Sequence, residues 1–187
     1  MMFPSSYPEF KISSINDGNY SLVPIRYQDR EEIRKWRNDQ INLLRQKEIL
    51  TKHAQDKYFL NTVAENFKTR FPKQLLFSFL DQDELIGYGG LVHIDWKSKN
   101  AELSFLLKTE KSDVIQYLVL FKIFISLIQR VAKLIKLHKI YTFGYDVATY
   151  RFQPLLASGF YKEAELIDHI KIDRELLNIK IFSKILT

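Results

Sequence analysis

The stretch NAELSFLLKTEKSDVIQYLVLFKIF, Asn100 to Phe124, decides the fold. Ala101 to Leu107 is of β type, a glycine-free polar turn follows, and Asp113 opens a long apolar helix. Downstream, Lys122, Ser126, Gln129, Lys133 and Lys136 fall at steps of four, three, four and three. That is a single polar stripe on a 3.6-residue period, so most of this helix is buried. A strand that feeds such a helix forms a crossover onto a sheet. Glu102 is the strand's only carboxylate. A carboxylate just ahead of a helix start suggests an active site backed by an anion cradle. The first helical turn has unpaired N–H donors and the positive end of the dipole.

Upstream of this stretch, Tyr20–Arg26 reads as a strand, with Pro24 marking an edge or an end. Asp29 is placed to cap a helix carrying Ile33 and Trp36 and ending near Arg37-Asn38. Leu43 to Leu50 fits no single element. Thr51 suits the N-cap of a second helix, Lys52 to about Phe67. Leu75–Leu80 and Glu84–Trp96 are strands. Gly87, Gly89 and Gly90 inside the second imply a bulge, a bend or close approach by another backbone or a ligand. Downstream, His138–Asp146 is a strand and Thr149–Ser158 a helix closed by Gly159. Strands over 161–172 and 177–185 end the chain. The expected architecture is α+β, a mixed, mostly antiparallel sheet flanked by helices.

At 187 residues, 46% hydrophobic and 14% aromatic, one domain with a real core is expected. Residues 1–18 read as a loose arm and 19–187 as that domain. The absence of cysteine excludes a disulfide or a thiolate nucleophile and suits a reducing cytoplasm. The opening MMFPSSYPEF lacks the pattern of a secretory signal. Val114 to Ile128 is interrupted by Gln116, Lys122 and Ser126. It falls short of the roughly 20 apolar residues of a membrane span, so no membrane partner is expected. The net charge of +6 fits either a plain basic protein or one with an anionic ligand such as a nucleotide or CoA. The basic residues are scattered without a nucleic-acid motif, so no nucleic acid is expected. His53, His93, His138 and His169 have no ligand spacing, and no metal is expected.

Seven pieces stand in order from Leu22 to Phe160: LVPIRYQD, WRND, LTKHAQDKYF, IGYGGL, NAELSFLL, LHKIYTFGYD and LLASGF. With this element order the chain resembles the GCN5-related N-acetyltransferase (GNAT) family. Its branch of ribosomal-protein N-terminal and amino-sugar acetyltransferases is the most similar. The resemblance implies transfer of an acetyl group from acetyl-CoA to an amine by direct attack in a ternary complex. It implies a sheet that splays beside the Glu102 strand, with the backbone of Phe105, Leu106 and Leu107 pairing with pantetheine. The pyrophosphate would sit on the amides of Ser112, Asp113, Val114 and Ile115, with charge from Lys111. The chain departs from the family at the loop glycines, which fall near Asp113 and Ile115. It departs also at a helix-start asparagine, here Ala148, and at an acid tyrosine, here Leu155.

An attacking amine must shed a proton, and a carboxylate raised by burial can take it. Glu102 is the candidate base; the alternative is a strand glutamate paired with a lysine across the sheet. Tyr150 is the candidate acid for the leaving thiolate, and otherwise a packed aromatic. Arg151 is a candidate for a CoA phosphate, and otherwise an exposed arginine. On the acceptor side the resemblance points to Arg37, Asn38, Arg45 and Gln46, which suit a small amine such as a nucleotide-linked amino sugar. A protein N-terminus stays open as an acceptor. The apolar final strands could close a homodimer or only the core. The competing reading is a non-catalytic module of the same fold whose cleft is sealed by side chains such as Tyr117 and Phe143.

Overall fold

The computed structural model describes residues 3–109, 113–147, 149–172 and 174–186. Its strands are β1 (Ile15–Asp17), β2 (Tyr20–Pro24), β3 (Leu75–Asp81), β4 (Glu84–Asp95), β5 (Asn100–Leu107), β6 (Lys139–Tyr145), β7 (Tyr161–Ile172) and β8 (Glu175–Ile185). The helices are α1 (Arg30–Asp39), α2 (Lys52–Lys57), α3 (Ala64–Asn66), α4 (Val114–Leu134) and α5 (Gln153–Ala157). One sheet takes all the strands in the order β1-β2-β3-β4-β5-β6-β8-β7. Every pairing is antiparallel except β5 with β6, which α4 joins as a crossover.

That parallel pairing decides the site. It holds only Asn100 to Lys139, Ala101 to Ile140 and Glu102 to Tyr141. Beyond Glu102 the two strands part, because β6 follows β8 while β5 stays on β4 as far as Leu107. β4 is itself held tightly. A Cβ on Gly89 would lie 2.1 Å from the Ser104 carbonyl oxygen, and one on Gly90 2.0 Å from that of Leu75. The glycines therefore serve close backbone approach, and β5 is fixed on one side and open on the other.

α4 is 21 residues of mainly Leu, Ile, Val and Phe, long and apolar enough by length and composition to cross a membrane. Here it is a core helix: Tyr117, Leu120, Phe121, Phe124, Ile125 and Leu127 are among its buried residues. Phe105 of β5 stacks on Phe121 with centroids 4.7 Å apart and touches Phe124 at 4.5 Å. Burying each such ring contributes on the order of 1.5–3 kcal/mol. The expected polar stripe lies outward at Lys122, Ser126, Lys133 and Lys136, and Gln129 is half-buried.

Several local expectations are corrected. The segment read as a loose arm is packed: Tyr7, Ile12 and Ile15 are buried, and β1 pairs with β2. The Tyr7 hydroxyl donates to the Leu76 carbonyl and accepts from its amide, both at 2.9 Å. Asp29 does not cap α1; it pairs with Arg26 and accepts from the Ser78 hydroxyl, because burial gives it stronger partners. Thr51 does cap α2, accepting from the Ala54 amide. The helix runs on through a π-helical turn, Tyr58–Val63, into α3. The expected helix 149–158 is a 3-10 turn, Thr149–Phe152, followed by α5, with Pro154 in the tolerated first turn and Gly159 at φ +82° behind it.

Candidate active site

Glu102 is the last residue of β5 paired with β6, at the point where the strands part. Its side chain is 4% exposed. Oε1 accepts from Arg45 Nη2, and Oε2 lies 3.7 Å from His93 Nε2. Burial lifts its carboxyl above the ordinary carboxylate range, and the Arg45 and His93 charges pull it back only in part. That is the environment of a base tuned toward neutrality. The alternative of a strand glutamate paired with a lysine across the sheet does not describe it.

The parting opens a cleft on both sides of the sheet plane. Leu103 and Phe105 form one wall and Thr142, Phe143, Gly144 and Tyr145 the other. Tyr117, Phe121 and Leu155 lie beneath, while Leu43 and Leu44 come in from the loop after α1. Two connected hollows of about 130 Å³ each remain. Tyr117 and Phe143 line this space without sealing it.

The backbone of β5 decides what the cleft offers. The Lys108 amide donates across β4 to the Ile86 carbonyl. The Leu107 carbonyl faces the other way and accepts from Gln40 Nε2 at 2.8 Å. Successive residues of a strand alternate sides, so Leu103 and Phe105 turn their N–H and C=O groups away from β4. The pairing of Glu102 with Tyr141 engages the Leu103 amide as the last ladder bond to β6, which leaves the Leu103 carbonyl and both Phe105 groups to the open gap. Leu106 turns its backbone to β4, and its side chain lines the cleft. Of the three expected pantetheine positions, Phe105 is free to pair, Leu107 has its carbonyl taken, and Leu106 contributes only its side chain.

The phosphate end differs from expectation. Asp113 is the N-cap of α4, and its Oδ1 accepts from the Ile115 and Gln116 amides at 3.1 and 3.2 Å. Two of the first-turn donors are thus held by the chain's own carboxylate. Val114 and Ile115 are exposed beside it. Lys111, Ser112 and Ala148 lie outside the described residues. Arg151 has no carboxylate partner among the described residues; it lines the cleft with its guanidinium 4.6 Å over the Tyr117 ring. Tyr150 packs edge-on to Tyr117, and its hydroxyl accepts from Arg151 Nε at 3.3 Å.

On the other face, polar residues at the end of α1 and in the loop after it form a network. Asn38 accepts from the Leu50 amide and from Gln46 Nε2, and donates to the Leu50 carbonyl. These bonds pin the loop that carries Arg45. Arg37 donates from Nε to Gln46 Oε1 and from Nη1 to the Tyr88 hydroxyl. Arg37 lines a mainly apolar cavity of about 300 Å³ with Ile33, Phe59, Leu76, Tyr88 and Ser104. Ser104 lines the cleft as well, so the two spaces meet at β5. The arginine of the loop, Arg45, reaches Glu102 and lies 4.1 Å over the Phe143 ring, bridging the two parted strands.

Sequence reasoning missed Gln40, Tyr88 and Tyr145. The alternation of Tyr141, Phe143 and Tyr145 along β6 was a usable signal for a phenol on the Glu102 side. Burial raises the Tyr145 hydroxyl above its ordinary value, and Arg45 pulls it back in part. Among the described residues no cluster of His, Asp and Glu is placed to hold a metal ion.

A model of the acetyltransferase (GNAT) domain matches residues 22–177. The chain belongs to that family. GNAT proteins are N-acetyltransferases, and the splayed sheet with its buried strand carboxylate is the architecture the resemblance implied. Among solved structures, spermidine N-acetyltransferase from Vibrio cholerae, in complex with CoA and spermine, superposes with a TM-score of 0.76 at 16% identity. The match covers 91% of this chain and 97% of that one. Ribosomal-protein-S5-alanine acetyltransferase from Vibrio fischeri gives 0.72 at 18% identity, over 92% and 96%. A probable GNAT acetyltransferase from Chromobacterium violaceum gives 0.70 at 13%, over 92% and 85%. At such identities the likeness is one of fold. No curated protein sequence matches the chain.

Proposed function

We propose that this GNAT protein transfers an acetyl group from acetyl-CoA to the primary amine of a small acceptor, with an amino sugar as the acceptor class. The observation that carries the reading is the parting of β5 from β6 beside the buried Glu102. The apolar gap suits the pantetheine arm, and the open Phe105 backbone and Leu103 carbonyl suit its amides. Arg151 offers the phosphates a cation that does not depend on the helix amides.

The acyl donor supplies the thioester; the chain supplies position and proton handling. Arg45 occupies Glu102 Oε1, so it must swing aside before that oxygen can take the amine proton. The freed nitrogen lone pair then attacks the thioester carbonyl, the C–N bond forms and the C–S bond breaks. The leaving thiolate takes a proton, for which Tyr145, lining the cleft, is better placed than Tyr150. A polyamine, as named for the Vibrio cholerae neighbour, would meet Arg37 and Arg45 here, and like charges disfavour it.

A thermal-shift titration with acetyl-CoA, followed by thiol-release assays over a panel of amines, tests the reading. A ligand at 100 times its Kd stabilises a folded protein by about 2.7 kcal/mol. A clear shift with amine-dependent release of CoA is expected. No shift at low millimolar acetyl-CoA and no release with any amine would contradict the proposal.

A further inference from the structure

Five arginines lie between Arg26 and Arg45. Four have a carboxylate: Arg26 with Asp29, Arg30 with Asp56, Arg34 with Glu31, and Arg45 with Glu102. Arg37 has none among the described residues. Neutral groups hold it instead, Gln46 Oε1 on Nε at 2.9 Å and the Tyr88 hydroxyl on Nη1 at 2.8 Å. Nη2 has no protein partner among the described residues. Tyr88 and Gln46 fix the plane of the guanidinium, and Gln46 is in turn fixed by Asn38 at 3.0 Å. A half-buried cation so firmly oriented and left without a counter-charge is poorly compensated by the protein itself. Its planar fork matches a carboxylate or a phosphate.

Where Arg37 sits matters as much as its lack of a partner. The cavity of about 300 Å³ that it lines is walled mainly by apolar side chains such as Ile33, Phe59 and Leu76. The other polar groups there largely satisfy one another, Tyr58 with Gln74 and Gln55 with the Arg30 carbonyl. Ser104 connects the cavity to the cleft of Glu102. An anion on Arg37 would therefore leave the rest of its molecule in the apolar cavity, directed toward the strand that carries the base.

We infer that this cavity is the acceptor site and selects a primary amine that also bears an anionic group, which pairs with Arg37. The direction given to the amine rests on the N-acetyltransferase reading; the anion preference does not. The volume suits one sugar ring or one amino acid, so the anion belongs to the acceptor itself, as a phosphate or a carboxylate.

Calorimetric binding of matched ligands to the full chain tests this. Glucosamine 6-phosphate against glucosamine probes a phosphate; 4-aminobutyrate against butylamine probes a carboxylate. In at least one pair the anionic member should bind tenfold or more tighter. Arg37→Met should erase that preference, Arg37→Lys should keep part of it, and the acetyl-CoA thermal shift should persist in both. Equal affinities within both pairs, no binding by any of the four, or a preference that survives Arg37→Met would overturn the inference. An Arg37-dependent preference without any acetyl transfer would uphold this site while sinking the proposed reaction.

Discussion

The two sides of β5 are built on opposite plans. Toward β6 and α4 the chain presents an apolar slot, open backbone groups and, at the rim, Arg151, which has no carboxylate partner among the described residues. Toward α1 and α2 it presents a wired network in which arginines, carboxylates and amides are nearly all matched. The first side asks only for a slender arm and an anion at its far end. The second is specific, and Arg37, the one arginine of its five without a carboxylate among the described residues, marks what is missing. The difference teaches that, on the proposed reading, the donor side of this chain is simple and the acceptor side carries the specificity. Glu102 belongs to both sides: it closes the parallel ladder, and it faces Arg45 from the acceptor loop.

The largest expected effect comes from the residue that joins the two sides. Glu102→Gln should lower kcat/KM for amine acetylation by roughly 10²- to 10⁴-fold, the range of general base catalysis, and leave acetyl-CoA binding intact. Steady-state kinetics beside a thermal-shift titration would show it, and equal loss of both would mean that Glu102 is structural. Next, Arg151→Ala should weaken donor binding alone, by about 1.5–3 kcal/mol if it meets a phosphate. Unchanged acetyl-CoA affinity by calorimetry would remove Arg151 from the site.

Arg45→Gln tests the contact between the sides through pH. Arg45 pulls the Glu102 carboxyl down against the larger effect of burial. Without it the carboxyl rises further. A base works only deprotonated, so the acid limb of the pH–rate profile should move to higher pH. A limb that stays in place, or moves down, would mean that Glu102 does not control it. The smallest effect belongs to Asp113→Asn. Asparagine caps a helix about as well as aspartate, so stability should hardly change. Removing the negative charge from the start of α4 should tighten acetyl-CoA binding a few-fold, since a charge there is worth about 0.3–1 kcal/mol. A weaker complex would mean that Asp113 helps to hold the donor.

Much of this was legible in the chain. The stripe from Lys122 to Lys136 located α4, and the Gly89-Gly90 pair announced close backbone contact. Asp113 was readable as a cap, and Glu102 as a strand carboxylate. What was hidden depends on contacts distant in sequence. Asp29 looked like a cap, but Ser78, far along the chain, competes for it. Residues 3–18 look polar and irregular, yet Tyr7 finds the Leu76 backbone. The parting of β5 and β6 has no local signal, because it arises from β8 holding β6. The isolation of Arg37 shows only once every neighbouring carboxylate has been matched to another partner.

The central claim is that the donor lies in the gap beside β5, and amide hydrogen exchange by NMR on addition of acetyl-CoA tests it most directly. The Phe105 amide faces the gap, whereas the Leu103 amide already donates to β6 and the Leu106 amide faces β4. The account predicts slowed exchange at Phe105, with Leu106 unchanged. Saturating acetyl-CoA that leaves Phe105 exchanging as in the free protein would contradict it.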